Sequence, residues 1–513
     1  MKDALSRREF LKLAAAMSGS LVAPRLLHAR PISPGAPGKR QNVLIVVFDT
    51  LSAHHLSLLG YSRDTSPLLS QLADRAIVYH NHYAAGPWTI PSTASLFTGV
   101  LPWSHRAFSL DQRIEPSFNE KNLFHAFGDY HRFVYSHNPL VYTFFDQYAS
   151  DLDETIPIQK LFLTFDVIPA TLFKRDDDQA RVSWRRIFKH TINGGYSYSL
   201  FLSRLYEAMQ TGRTAQYEAS FPRGLPNLEN DNYFLLEQAI DFLADQASRA
   251  PTPFLGYFHF WPPHHPYKTS REFFDLYVGD PFQPMKKPRH AFAGEPKQSR
   301  YNMLVEMQRR YDEVIRYVDR EFERLMRMLE ASGRLEDTWV ILTSDHGELF
   351  ERGILGHGQP VVFDGVIRVP LIIFEPGRSK RLDVHLPTSA VDLLPTLLQI
   401  TGGQSAPWTE GAVLPPFRGA MSTPERSIFA VNARENSPHR PLSVATTMLA
   451  KGRYKLIHYF GYDKLNGKEL VELYDLEADP DELANLVEQQ PKVASALMEE
   501  LRAVVQVADQ PYS

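Results

Sequence analysis

The sequence predicts an α/β fold: a mainly parallel sheet flanked by helices, followed by a smaller C-terminal α+β subdomain. Three features carry this. Asn42–Phe48, Pro253–Phe260 and Thr338–Thr343 are nearly unbroken apolar runs of strand length, as expected of strands covered on both faces. Helical patterns separate them, above all Tyr301 to Ser332, where Val314, Ile315, Val318, Phe322, Leu325 and Met328 keep three- and four-residue spacing. After about Arg426 the chain turns to short strands and one closing helix.

In order, residues 1–30 read as a twin-arginine signal peptide. Ser6-Arg-Arg-Glu-Phe-Leu-Lys12 carries the export pattern, Leu13 to Ala23 is a modest apolar run, and Leu27-His28-Ala29 fits a cleavage site. A Pro/Gly-rich linker covers 31–40. The main domain is expected over 41–425, with insertions at about 151–229 and 269–299 that shape the mouth of the site. Its helices are expected at about Thr65 to Ala76, Asn232 to Gln246, Tyr301 to Ser332 and Ala390 to Ile400, with strands at Arg132–Ser136 and Val369–Phe374. The C-terminal subdomain takes 426–513, with strands near 428–431, 443–448, 454–460 and 471–474 and a helix at about 492–507. Lys286-Lys287-Pro-Arg-His290 is expected to be a solvated loop.

Composition narrows the function. With 55 basic and 59 acidic residues, bulk charge does not favour nucleic acid. The absence of cysteine excludes disulfides, thiolate metal ligands and a cysteine nucleophile. No later segment is apolar for about 20 residues, so no transmembrane anchor is expected. The expected location is the periplasm or beyond, reached through the twin-arginine export machinery.

The candidate chemistry lies at strand and helix ends. Asp49 closes the first apolar run, where open α/β sheets place ligands. Gly86-Pro-Trp-Thr-Ile-Pro-Ser-Thr93 reads as a turn into a helix, with Pro91 suited to the first helical position. Thr89 would sit where unpaired amides and the helix dipole favour an anion, so its hydroxyl is a candidate nucleophile. Ser344-Asp345-His346-Gly347 follows another strand. Two carboxylates and one imidazole suit a divalent cation, with Ca²⁺, Mn²⁺ and Zn²⁺ all admitted. Such a cation would activate Thr89. His264 and His357 could bind the oxyanion or protonate a leaving oxygen. Asn138 follows the Arg132–Ser136 strand at the same edge. His259, inside its apolar strand, reads as a core histidine or one that supports the site rather than as a ligand, and His54 and His55 as surface or supporting ones.

These motifs, in this order, resemble the sulfatase branch of the alkaline phosphatase superfamily over nearly all of the mature chain. Asn42-Val-Leu-Ile-Val-Val-Phe-Asp-Thr-Leu51 resembles its first metal-binding strand. Pro262-Pro-His-His-Pro-Tyr267 resembles Asp-Pro-His-x-Pro-Tyr, and Thr343-Ser-Asp-His-Gly-Glu348 with Gly356-His-Gly358 resembles the second metal motif. Tyr311-Asp-Glu-Val-Ile-Arg-Tyr-Val-Asp319, Val391-Asp-Leu-Leu-Pro-Thr396 and Glu472-Leu-Tyr-Asp-Leu-Glu-Ala-Asp-Pro480 also fit. The resemblance implies Asp49, Thr89, Asp345 and His346 as metal ligands, Thr89 as nucleophile, and His264 and His357 as contacts of an anionic ester; Asn138 is a further candidate for binding that substrate. One departure matters. Sulfatases place Cys or Ser, converted to formylglycine, in Cys/Ser-x-Pro-x-Arg; this chain has Thr89-Ile-Pro-Ser-Thr93. Threonine at this position resembles the superfamily's phosphoethanolamine and glycerolphosphate transferases and some of its phosphatases. The expected function is an exported, metal-dependent hydrolase or transferase that cleaves a phosphate mono- or diester, for example of a cell-envelope component, through a covalent Thr intermediate. The alternatives are a sulfuric ester hydrolase and a non-catalytic binding protein.

Overall fold

The three apolar runs lie side by side at the centre of one sheet. The computed structural model describes residues 40–110, 112–164, 212–228, 232–294, 300–418 and 426–513. Its strands are β1 Asn42–Phe48, β2 Ile77–Tyr79, β3 His82–Tyr83, β4 His131–Ser136, β5 Glu154–Thr155, β6 Phe254–Phe260, β7 Thr338–Thr343, β8 Leu371–Phe374, β9 Leu382–Val384, β10 Thr388–Ser389, β11 Ile428–Asn432, β12 Ala445–Lys451, β13 Tyr454–Phe460 and β14 Leu470–Asp475. The longer helices are α1 Pro67–Leu72, α2 Thr89–Thr98, α3 Pro139–Gln147, α4 Leu236–Arg249, α5 Tyr301–Ala331, α6 Leu393–Thr401 and α7 Pro491–Asp509.

The main sheet runs β5-β4-β6-β1-β7-β8-β2-β9. Strands β5 through β7 in that order are parallel, and β8 pairs antiparallel with both β7 and β2. Every residue of β1, β6 and β7 is buried, because helices cover both faces. Leu44, Val46 and Phe48 pack with residues of α4 and α5 such as Leu243 and Phe322. Val43, Ile45 and Val47 face the other way, onto Phe97 of α2, Phe144 of α3 and Leu394 of α6. The alternation assigns each strand-end residue to one face, and α2 lies on only one of them.

The tail forms a separate antiparallel sheet, β11-β12-β13-β14. Leu449, Leu456 and Leu473 bury one face against Leu497 and Leu501 of α7. Met448, Ile457 and Tyr459 bury the other against Phe363, Val366 and Ile367, in the segment that follows the Asp345-His346 motif. A buried ion group lies in this second layer. Lys455 Nζ is 2.6 Å from Asp364 Oδ1 and 2.7 Å from Glu482 Oε1. Lys455→Met should cost about 3–5 kcal/mol, because it removes the cation that Asp364 and Glu482 share in the interior and leaves Asp364 the longer contacts of Arg368 and His54 at 3.9 Å. Denaturant unfolding measures this, and a loss below about 1 kcal/mol would show that the ions do not hold the layers together.

Several expectations shift. Pro91 is the third residue of α2, not the first, since the helix opens at Thr89. It still lies in the first turn, where its missing N–H breaks no intrahelical bond. The apolar run at 369–374 pairs as a strand only from Leu371, and α4 opens at Leu236 rather than Asn232. The loop with Lys286-Lys287 is not simply solvated. The Lys287 side chain is buried and paired with Glu351 at 2.9 Å and Asp481 at 3.3 Å. The twin-arginine segment and linker (1–39), most of the 151–229 insertion (165–211 and 229–231), residues 295–299 and 419–425 lie outside the described residues. Among the described residues no helix is long and apolar enough to cross a membrane.

Candidate metal centre and nucleophile

Parallel pairing brings three strand ends together. Val47 of β1 is level with His259 of β6 and with Thr343 of β7, and His259 is level with Ser136 of β4. Asp49, His259 and Asp345 therefore emerge side by side, on the face that carries α2. All three are buried, and one donor atom from each lies within 4.8 Å of the others.

The carboxylates share a pattern. Asp49 Oδ2 accepts from Asn138 Nδ2 at 2.7 Å and lies 3.2 Å from His259 Nε2, while Oδ1 is buried with no hydrogen-bond partner. Asp345 Oδ1 accepts from the backbone N–H of His346 at 2.9 Å and of Thr50 at 3.2 Å, while Oδ2 is unpartnered. One oxygen of each is committed to the protein and the other is free. A buried, unpaired carboxylate oxygen is costly, and two facing one space fit a cation. Burial and the Asp49 charge push the Asp345 carboxyl up to about 7. Burial opposes ionisation of Asp49 too, but the His259 hydrogen bond and the nearby histidines outweigh it and hold Asp49 below the usual range. Without a cation the pair favours one negative charge over two.

His346 completes the group. Its Nδ1 is 2.9 Å from the Gly347 carbonyl, which leaves Nε2 as the free lone pair. That nitrogen lies 3.5 Å from Asp345 Oδ2, 3.8 Å from Asp49 Oδ1 and 3.4 Å from Thr89 Oγ1. Burial and neighbouring His357 hold its pKa well below normal, so the ring stays neutral. Thr89 is the first residue of α2; the cap position is Trp88, whose side chain makes no capping bond. The Thr89 hydroxyl does not cap the helix. It meets His346 and, at 3.3 Å, Asn138 Nδ2. Asn138 itself caps α3 by accepting from Leu140 N–H at 3.0 Å, which fixes its amide toward Asp49 and Thr89.

Two further histidines form the rim. The His357 ring lies 4.3 Å from that of His346 and 5.1 Å from that of His264. Burial disfavours charge on His357, but Glu348, 2.9 Å from its Nδ1, outweighs this and raises its pKa. His264 Nδ1 is 2.7 Å from the His265 carbonyl, and its ring rests on Trp261 at 4.0 Å. The structure thus gathers Asp49, Thr89, Asn138, Asp345 and His346 in one buried group, with His264 and His357 beside it.

Sequence reading missed three members. The apolar strand makes His259 a core or supporting residue rather than a ligand, yet its Nε2 faces both carboxylates, 3.8 Å from Asp345 Oδ2. Burial opposes charge there, but Asp49 and Asp345 outweigh it and raise the His259 pKa. Glu348, inside the second motif, orients His357. Tyr311 of α5 donates to the Thr50 carbonyl at 2.5 Å and accepts from Ser52 N–H at 3.0 Å. Those bonds hold Thr50 in the left-handed region (φ 64°), and its N–H then reaches Asp345. His55 is buried against Asp312 at 2.6 Å, in a supporting place.

The family model for Sulfatase matches residues 41–403. The chain belongs to the sulfatase family. A second family model, N-sulphoglucosamine sulphohydrolase, C-terminal, matches residues 357–507 of this sulfatase-family chain. Choline-sulfatase of Rhizobium meliloti (strain 1021) is 26% identical over 475 residues, covering 88% of this chain and 83% of that protein. The phosphonate monoester hydrolase of Agrobacterium radiobacter has a similar structure: TM-score 0.64, 20% identity, 91% of this chain and 96% of that one. A 2-O GAG sulfatase gives 0.63, 19%, 92% and 94%. These two likenesses are of fold. The family makes the protein an ester hydrolase whose members bind a divalent metal, and the free oxygens of Asp49 and Asp345 beside His346 fit that ion.

Proposed function

We propose that this sulfatase-family chain cleaves a phosphate mono- or diester, with Thr89 as nucleophile and one divalent cation held by Asp49, Asp345, His346 and the Thr89 oxygen. The observation that carries the reading is the hydroxyl itself: a threonine on the first residue of α2, 3.4 Å from His346 Nε2 and next to two carboxylates with free oxygens. Formylglycine sulfatases release sulfate by elimination from an aldehyde hydrate. A sulfated threonine has no such exit, whereas a phosphothreonine can be opened by in-line attack of water.

When bound, the cation would lower the pKa of the Thr89 hydroxyl and offset charge on the transferred group. The chain does the rest. Asn138 Nδ2 orients Oγ1. The Thr89 hydroxyl gives up its proton to solvent, the Oγ1–P bond forms as the ester P–O bond breaks, and the departing oxygen takes a proton from His357, which Glu348 favours in its charged form, or from His264. Water then attacks phosphorus as the P–Oγ1 bond breaks; one of its protons passes to Thr89 Oγ1, its hydroxyl stays on the released phosphate, and solvent reprotonates the histidine. An acceptor alcohol in place of water makes the same site a transferase.

The identity with choline-sulfatase favours a second reading, hydrolysis of a sulfuric ester. One panel separates the two: 4-nitrophenyl phosphate, bis(4-nitrophenyl) phosphate and 4-nitrophenyl sulfate, offered to metal-loaded protein. A phosphate ester should show a kcat/KM at least ~100-fold above the sulfate, a gap of about 2.7 kcal/mol. Equal or greater turnover of the sulfate overturns the phosphate reading, and no turnover of any ester by metal-bound protein supports a binding role.

A further inference from the structure

We propose that His259 is a direct ligand of the cation, and that this second imidazole biases the site toward a borderline transition ion of the Zn²⁺ or Mn²⁺ class over Ca²⁺. The inference rests on the metal site proposed above and adds a donor that the sequence does not mark as a ligand.

Three observations support it. The first is position. The strand register sets His259 level with Val47, two residues before Asp49, on the α2 face. From the β6 side its Nε2 stands 3.2 Å from Asp49 Oδ2 and 3.8 Å from Asp345 Oδ2. His346 Nε2 approaches the same carboxylates at 3.8 and 3.5 Å. Neighbouring donors held at about 2.0–2.1 Å around one four- or five-coordinate ion stand about 2.8–3.6 Å apart. The His259–Asp49 and His346–Asp345 separations, 3.2 and 3.5 Å, fall in that range, and the two of 3.8 Å lie just above it.

The second is orientation. The His259 ring is wholly buried, and its Nδ1 lies 3.1 Å from the Tyr257 hydroxyl. Metal-ligating histidines tether their second nitrogen in this way, which leaves the first as a lone-pair donor aimed at the ion. His346 is tethered likewise, through Gly347.

The third is the donor set. Ca²⁺ takes six to eight oxygens, and carboxylates with hydroxyls serve it well. Each imidazole that replaces an oxygen moves a site toward Zn²⁺ and its neighbours. Two imidazoles, two carboxylates and one hydroxyl make a borderline set. A neutral imidazole adds no charge, so a dication against Asp49 and Asp345 leaves this buried space neutral. The competing arrangement is a protonated His259 that donates Nε2–H to Asp49 and serves as counter-ion. That arrangement repels a cation.

The test uses full-length protein stripped by chelator. Loaded with Cu²⁺ as a spectroscopic probe, wild type should show two ligating imidazoles by electron spin-echo modulation, and His259→Gln one. Competition titrations should give His259→Gln a ~10–100-fold loss of Zn²⁺ affinity, with Ca²⁺ affinity changed by less than about threefold. One imidazole in wild type overturns the proposal whether or not the variant folds. So does an unchanged Zn²⁺-to-Ca²⁺ ratio in a folded His259→Gln. Failure of wild type to bind any of these ions removes the metal site itself, a distinct outcome.

Discussion

Thr89→Ala should lower kcat on the best ester of the panel by about 10⁴-fold, leaving a folded protein that still takes up its cation. The methyl side chain removes the group that would form the covalent bond, and no neighbour can replace it: Asn138 offers only an amide, and His346 Nε2 faces the carboxylates. The structural cost should be small. Alanine is a good helix residue, Thr89 is the first residue of α2, and the lost contacts are long, at 3.3 and 3.4 Å. The expected stability change is within about 1 kcal/mol. Thr89→Ser keeps the oxygen and should stay within about tenfold of wild type, because only the rotamer restraint of the β-methyl is lost. The intermediate itself can be seen. Rapid quench of wild type with a good leaving group, followed by digestion and mass analysis, should place one phosphoryl group on the peptide that contains Thr89. Retention of more than about a tenth of wild-type kcat by Thr89→Ala would take the threonine out of the chemistry.

Much of this site was legible from one dimension, for a physical reason. Asp49 and Asp345 stand just past strands buried on both faces, and such strands announce themselves as unbroken apolar runs. Thr89 stands where Gly86-Pro-Trp breaks the chain before a helix. What the runs hide is register and face. Phe258-His259-Phe260 shows no polar alternation, since all three residues are buried, so nothing in that string says that His259 looks toward α2 while its neighbours look toward α4 and α5. The missing fact is the pairing of Val47 with His259, which belongs to the tertiary structure. The parity of Tyr257 and His259 was the one available signal, and it needed a face assignment to be useful. Glu348 and Tyr311 were hidden differently: each acts through another residue, His357 or Thr50. The short strands β2, β5 and β9 carry no readable pattern because they are two or three residues long and exist by pairing with segments distant in sequence. Lys287 looked like solvated charge until Glu351 and Asp481, distant in sequence, closed on it.

Removing the cation should be the second large loss. Wild type should carry about one divalent ion per chain by elemental analysis, and exhaustive chelation should lower activity at least ~100-fold, restored by adding the ion back. The stability response distinguishes a structural site from an incidental one. With ion present at about 100 times its Kd, binding stabilises the fold by about 2.7 kcal/mol, so chelation should lower the melting temperature by several degrees. Asp345→Asn reverses that logic. Its side-chain oxygen can still accept from the Thr50 and His346 amides, as Oδ1 does now, while the free oxygen that faces Asp49 and His346 is replaced by an uncharged amide. The variant should bind little metal and show little activity, yet be at least as stable as chelated wild type, because the amide replaces a buried carboxyl whose ionisation, without the ion, is opposed by burial and by the Asp49 charge. Chelator should then leave its melting temperature unmoved. A melting temperature in Asp345→Asn that still falls on chelation would mean that the stabilising ion sits elsewhere, and the Asp49–Asp345–His346 assignment would fall with it.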